Sequence, residues 1–320
     1  MAAGPFCIAV GEALYDRFGD VEVLGGAPVN FSVHLAALLA PAGGRVSVLT
    51  RIGRDERGTR LSAELDVRGV DRELIQIDET LPTSIVNVSV DEAGQPTYDI
   101  ARPVGWDAIE VTDDALAAFA SADAVCFGTL AQRDDRSRGA TVELLKACAA
   151  RVRLFDANLR PDFSDDSILI GSLGLATIFK LNEHELPRVR DAIGSRNEDR
   201  RTFCTEVMSR FDLDAVVLTR GGRGTEFHTS SGCIAPKAPA VEHRSGSDAV
   251  GAGDACAAGI VAGLLADLPL ERTVALANEL GAFVVSQRGA TPELPSRLRQ
   301  RVSNHLSPPP SQDAPEYDRP

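Results

Sequence analysis

The stretch Asp248-Ala249-Val250-Gly251-Ala252-Gly253-Asp254 runs straight into Ala255-Cys256-Ala257-Ala258-Gly259, a helix of small residues. Gly251 and Gly253, with Ala252 between them, free backbone N–H groups to point at an incoming anion. The helix that starts there adds the positive end of its dipole. Asp254 then sets a carboxylate beside that anion. A loop built only to hold phosphate gains nothing from a repelling charge. A loop that passes a phosphoryl group to a hydroxyl needs one, to accept the proton as the new bond forms. The alternative is an N-capping aspartate at an ordinary helix start, and what else the chain brings to the same place decides between them.

A second glycine element lies far upstream. Gly25-Gly26-Ala27-Pro28-Val29-Asn30 also opens a helical pattern, over 29–39. Paired glycines let backbone approach a ligand closely. Asn30 offers both a donor and an acceptor, which suits a polyhydroxylated partner better than an anion. One element for a polyol and another for phosphate describe a two-substrate site. A dinucleotide-dependent dehydrogenase would instead need Gly-x-Gly-x-x-Gly directly after the first strand. That place reads Gly11-Glu12-Ala13-Leu14, so the dehydrogenase reading fails.

Around these elements, short β-branched runs at 6–10, 46–50, 124–127, 152–155, 177–179 and 215–219 read as buried strands. Amphipathic patterns at 29–39, 57–68, 113–120, 137–150 and 201–211 read as the helices between them. That alternation predicts an α/β fold with a mostly parallel sheet covered on both faces. Ligands of such sheets bind at the carboxyl ends of strands, which is where Asp156, Lys180 and Thr219 are expected. Two segments, 13–24 and 83–105, have strand character without helices. In the second, Val86, Val88 and Val90 point one way, and residues 91–96 read as a hairpin turn. They predict a small antiparallel β-sheet lid apart from the core, its valine face packed either on its own core or on a second copy.

The chain has 320 residues, enough for one large α/β domain with an appendage, here placed at 1–306. A net charge of −13 argues against a nucleic-acid binder, because a phosphate backbone demands a basic face. Residues 1–10 lack a basic start and a long apolar core, and the apolar run at 168–179 is too short and glycine-rich to span a bilayer. A cytoplasmic protein without a membrane partner is expected. The six cysteines and five histidines are dispersed, with no Cys-x-x-Cys pair, so neither a zinc site nor a disulfide framework is expected. From Ser307 the chain turns proline-rich and then acidic, the composition of a disordered tail over 307–320.

Taken in order, these motifs resemble those of the ribokinase (PfkB-type) carbohydrate kinases. Gly25 to Asn30 matches Gly-Gly-x-x-x-Asn, and Arg51-Ile52-Gly53-Arg54-Asp55-Glu56-Arg57-Gly58 resembles the following Gly-x-Asp-x-x-Gly segment. Asn182-Glu183-His184-Glu185 matches Asn-x-x-Glu, and Leu218-Thr219-Arg220-Gly221-Gly222-Arg223-Gly224 resembles the nucleotide-side loop. The 248–254 loop matches Asp-Thr-x-Gly-Ala-Gly-Asp except at Ala249. The resemblance implies a ribokinase-like three-layer α/β/α core with a lid that often pairs with its twin in a dimer, and transfer of the ATP γ-phosphoryl group to a sugar. It implies Asp254 as base, with Gly251, Ala252 and Gly253 as the anion hole. Asp16, Gly25, Gly26, Asn30, Arg102 and Arg160 would face the sugar, a solvent-exposed arginine being the alternative at Arg102. Lys180, Thr219, Gly221, Gly222, Gly224 and Asn278 would face ATP. Asn182 and Glu185 would order Mg²⁺ through water, or cap a short helix. A monovalent cation beside the loop would meet Ala249 where a threonine hydroxyl is usual. The segments Phe127 to Arg133 and Asp156 to Arg160 most resemble fructokinase-type members, which convert D-fructose to fructose 6-phosphate. Ribose, 2-keto-3-deoxygluconate and nucleosides stay open as substrates, as does a sugar-binding relative without activity.

Overall fold

The computed structural model describes residues 4–90, 96–160, 163, 165–241 and 247–306. Residues 91–95 of the expected turn and the tail from 307 lie outside them. In chain order the strands are β1 (Phe6–Val10), β2 (Leu14–Phe18), β3 (Val21–Gly25), β4 (Arg45–Gly53), β5 (Ile75–Asp78), β6 (Ser84–Val90) and β7 (Pro96–Ile100), then β8 (Ala124–Phe127), β9 (Val152–Asp156), β10 (Ile178–Asn182), β11 (Ala215–Thr219), β12 (Thr225–Thr229) and β13 (Gly232–Ile234). The helices are α1 (Ala27–Leu39), α2 (Glu56–Val67), α3 (Asp113–Ser121), α4 (Asp135–Ala147), α5 (Asp166–Leu173), α6 (Leu186–Ile193), α7 (Arg200–Phe211), α8 (Ala252–Leu265), α9 (Leu270–Val285) and α10 (Ser296–Leu306).

A nine-stranded sheet runs β13-β12-β11-β10-β9-β8-β1-β4-β5. Every pair from β11 across to β5 is parallel, and β12 and β13 close one edge antiparallel. Strand alternation sorts the core into two layers. Cys7 and Ala9 of β1 join a cluster under α1, α8, α9 and α10, while Ile8 and Val10 join another under α3 to α7. In the second layer Phe127, Phe155 and Phe179 stack across β8, β9 and β10, with ring centroids 5.3 and 5.4 Å apart. The strand order reverses beside β1, because the chain adds β4 and β5 on one side and returns with β8 on the other. Such a reversal opens a crevice at the carboxyl ends of the strands.

The remaining strands form a four-stranded sheet, β3-β2-β6-β7. It differs from the expectation in one respect. The β2–β6 pair is parallel rather than antiparallel, because the long excursion through α1 and α2 separates them. Val86 is 2% exposed and packs inward, one of the two placements expected for its face, and Phe18, Val21 and Val23 are exposed apolar residues among those described in this sheet. Elsewhere the apolar run at 168–179 divides into α5 and the start of β10, and β10 continues to Asn182. Lys180 is therefore inside a strand, not after it. Helix α4 starts at Asp135, two residues before the apolar pattern, because Asp134 caps it by accepting from the Arg136 N–H. Among the described residues no helix is long and apolar enough to cross a membrane.

Candidate active site

The helices that frame the crevice begin unlike most others. Asp55, Thr112, Asp134, Asp165 and Asp199 cap α2, α3, α4, α5 and α7 with side-chain oxygens. Helices α1 and α8 start on Gly26 and Gly251, which bring no side-chain cap. Glu12 takes up the first N–H of α1 and the Ala249 carbonyl that of α8 at 3.3 Å, while the Gly251 and Gly253 N–H groups keep no partner among the described residues. Gly251 has φ 77, and a Cβ there would sit 2.5 Å from the Ala290 carbonyl oxygen. Only glycine fits. Asp248 pins this loop by accepting from the N–H groups of Val250 at 3.0 Å and Gly289 at 3.2 Å.

Asp254, in the first turn of α8, is half-buried and accepts a 2.8 Å hydrogen bond from Asn30 Nδ2. The two glycine elements thus meet across 224 residues of sequence. Asn30 Oδ1 is buried with no partner in the protein, an acceptor left for a ligand hydroxyl. Burial pushes the Asp254 carboxyl up to about 6, helped by the Asp156 charge and opposed by Asn30, Lys180 and Arg160. Asp16 on β2 is likewise pushed up to about 6 by burial, against Arg160. A Cβ at Gly25 would lie 2.4 Å from Asp16 Oδ2, so the bare glycine makes room for that carboxylate. Arg160, just past β9, reaches Glu12, Asp16 and Asp254 with its charge.

Glu12 carries no expectation from the sequence, yet it lines one small cavity with Ala27, Asn158, Asp156 and Asp254. It is 5% exposed and accepts from the Ala27 N–H at 3.3 Å. Its position directly after β1, at the strand-order reversal, is the signal that could have found it. Burial pushes it up to about 7. Because the folded state then favours the protonated form, Glu12 stabilises fully below the ordinary glutamate range and this is lost as pH rises through about 7. Glu12→Gln is expected to raise Tm by a few degrees, on the order of 1–3 kcal/mol, at about pH 8 and to leave it unchanged near pH 4. Thermal melts across pH check this; equal shifts at both ends would overturn it.

Beneath the α8 loop, Lys180 Nζ lies 2.6 Å from Asp156 Oδ2, both buried. Burial pulls the lysine down, but the Asp156 carboxylate overrides this and the net shift is upward. The ammonium would be 3.6 Å from a Cβ on Gly253, so it supports the loop with positive charge. At the end of β10, Asn182 Oδ1 accepts from the N–H groups of His184 and Glu185 at 2.9 and 3.1 Å. Glu185 returns the bond to Asn182 N–H and also accepts from Leu159 N–H, each at 2.8 Å. This reciprocal cap ties β10 to the Arg160 segment. Beyond it opens a groove of 560 Å³ lined by Thr219, Gly221, Gly222, Ala252, Gly253 and Asn278. Gly224 closes the turn behind that groove, bonding Gly221 O and packing on the Asn278 amide. Arg102 stands apart from the cluster. It is half-exposed, donates to Arg133 O at 3.2 Å and pairs with Asp134 at 3.6 Å.

The site therefore has a carboxylate-rich compartment beside the smaller sheet and a neutral, glycine-lined groove, joined at Gly253 and Asp254. A family model described as pfkB family carbohydrate kinase matches residues 13–297. The chain belongs to that family. This carbohydrate kinase, a phosphotransferase, is 29% identical over 305 residues to a fructokinase of Salmonella typhimurium, covering 89% of this chain and 95% of the relative. It is 27% identical over 299 residues to an aminoimidazole riboside kinase of the same species, covering 88% of each. Its fold matches the fructokinase of Xylella fastidiosa with bound ATP at a TM-score of 0.79, with 22% identity over 93% of this chain and 98% of that one.

Proposed function

We propose that this kinase transfers the γ-phosphoryl group of ATP to a hydroxyl of D-fructose. The observation that carries the reading is the Asn30–Asp254 hydrogen bond, which holds the polyol-side amide against the carboxylate at the mouth of the anion loop. The sugar would lie against Asp16, Gly25, Gly26, Asn30 and Arg160, whose oxygens accept from its hydroxyls and whose guanidinium donates to them. Asp254 takes the hydroxyl proton. Gly251 and Gly253 receive the transferred group on their N–H groups, joined by Ala252 once its 3.3 Å bond to Ala249 O gives way, with Lys180 beneath. ATP would occupy the groove at Thr219, Gly221, Gly222 and Asn278, with Gly224 shaping its edge. Arg102 closes over the sugar only if its pairing with Asp134 opens.

Mg²⁺ fits this charge pattern. Glu185 presents hard oxygen donors, each keeping a lone pair beyond its backbone bond. Both lone pairs of Asn182 Oδ1 serve the His184 and Glu185 N–H groups, so Asn182 would act by holding Glu185 in place. Burial, with the Asp156 charge added to it, pushes the Glu185 carboxyl up, a penalty that a cation relieves. Bound there through water, it supplies charge neutralisation at the phosphates. The fructose assignment rests on the Salmonella fructokinase likeness and on the unpartnered Asn30 Oδ1 with the Asp254 carboxylate beside it, acceptors for a polyol's hydroxyls. ADP release measured with fructose, ribose, 2-keto-3-deoxygluconate, adenosine and aminoimidazole riboside tests it. The largest kcat/KM is expected with fructose; preference for aminoimidazole riboside would transfer the assignment to the second relative's reaction.

The smaller sheet is proposed as the lid, pairing with that of a second copy through Phe18, Val21 and Val23, which are 46%, 56% and 39% exposed. Val21→Asp is expected to convert a dimer to monomers in light scattering, because like charges would face each other across the two-fold axis. A wild-type monomer at working concentration would overturn the pairing.

A further inference from the structure

Away from the site, strand pairing assembles what residue spacing did not show. Glu226 and His228 are two apart on β12 and project from the same face, and the β12–β13 register sets Cys233 directly opposite His228. Glu226 Oε2 lies 3.0 Å from His228 Nε2, and Cys233 Sγ lies 3.8 Å from that same nitrogen. The three ligand atoms all fall within 4.8 Å of one another. A nucleophilic relay of thiol, imidazole and carboxylate would use both ring nitrogens, one for each partner. Here both partners meet Nε2, so the three atoms converge on a point.

We propose that Glu226, His228 and Cys233 form a binding site for a borderline-soft divalent cation of the zinc class. The metal's bond lengths, about 2.3 Å to sulfur and about 2.0–2.1 Å to nitrogen or oxygen, require ligand separations of about 3.4–3.6 Å in a tetrahedral arrangement. The two separations at His228 bracket that range and the third is at most 4.8 Å, so closing the site asks the exposed Cys233 side chain to turn towards Glu226. Glu226 and His228 are 9% and 3% exposed, held by the sheet, while Cys233 is open to solvent and provides the entry path. Three protein ligands leave the fourth position to water. Glu226 is shared, since its Oε1 pairs with Arg220 at 3.0 Å and Arg200 at 3.5 Å. These two cations oppose a third, and the metal must hold against them through Oε2, Nε2 and the thiolate. On ligation the Cys233 thiol proton leaves to solvent.

Titrating the full chain with Co²⁺, under reducing conditions and without ATP, tests this independently of the kinase reading. A thiolate-to-cobalt absorption band is expected that saturates at one metal per chain and is abolished by Zn²⁺. Cys233→Ser, at an exposed position that the fold tolerates, should eliminate the band. The other cysteines, at 7, 126, 148, 204 and 256, are buried, so they give no competing signal. Absence of a band in the wild type, or a band of equal size in Cys233→Ser, overturns the proposal.

Discussion

Asp254→Asn is expected to lower kcat by about 10²–10⁴ while leaving Tm unchanged or slightly raised at neutral pH. Asparagine keeps the shape and can still meet Asn30, but it cannot accept a proton from the sugar hydroxyl. The stability half follows from the same environment. Burial holds the Asp254 carboxyl up at about 6, so ionising it costs the folded state free energy as pH rises through that value. Removing the charge relieves that cost. A first-turn aspartate acting only on the helix dipole would give the reverse pattern, with turnover intact and about 1 kcal/mol of stability lost. The wild-type enzyme should show an acid limb in kcat/KM near pH 6, because Asp254 accepts a proton only when ionised and Asp16 and Glu12 titrate beside it. Steady-state turnover across pH, paired with thermal melts, separates the readings. A fall in kcat below tenfold would sink the assignment of Asp254 as base.

Residues whose role depends on backbone were the most legible. The open N–H groups of α8 follow from two glycines and a helix, and both features can be seen in a string of letters. The sheet was legible for the same reason, since β-branched runs alternate with amphipathic ones. What stayed hidden depends on who faces whom. Glu12 looked like an ordinary residue after a strand, because nothing in Gly11-Glu12-Ala13 shows that β8 returns beside β1 and buries its carboxylate. The inward packing of Val86 was hidden similarly: alternation separates two faces but does not say which one meets the core. The Asp16–Gly25 contact, 2.4 Å from a would-be Cβ, arises from antiparallel register between β2 and β3. For Arg102 the sequence left open a place over the sugar or one in solvent, and a local partner that motifs do not show, Asp134 at 3.6 Å, now meets its half-exposed side chain.

One buried ion pair ties the end of β7 to the core, and breaking it should have the largest effect on stability. Arg133 grips Asp107 with both arms of its fork, Nε to Oδ1 at 2.8 Å and Nη2 to Oδ2 at 2.9 Å, with side chains 1% and 0% exposed. Its guanidinium lies 3.9 Å from the Trp106 ring centroid, and Nη2 also donates to the Ala101 carbonyl at 2.6 Å, just past β7. Arg133→Met keeps the bulk and strands the Asp107 carboxylate in the core, at a cost of about 3–5 kcal/mol, or roughly 10 °C in Tm. Much of that cost is the unpaired charge, so Arg133→Met combined with Asp107→Asn should recover a good part of it, although neither change alone is benign. Because Ala101 loses its anchor as well, the surviving enzyme should show a raised KM for the sugar with a smaller change in kcat. Chemical denaturation of both variants, with sugar kinetics on the folded fraction, gives the answer. A single variant within about 1 kcal/mol of wild type, or a double variant no more stable than the single, would mean that water reaches Asp107 and that the sheet is held by its apolar contacts instead.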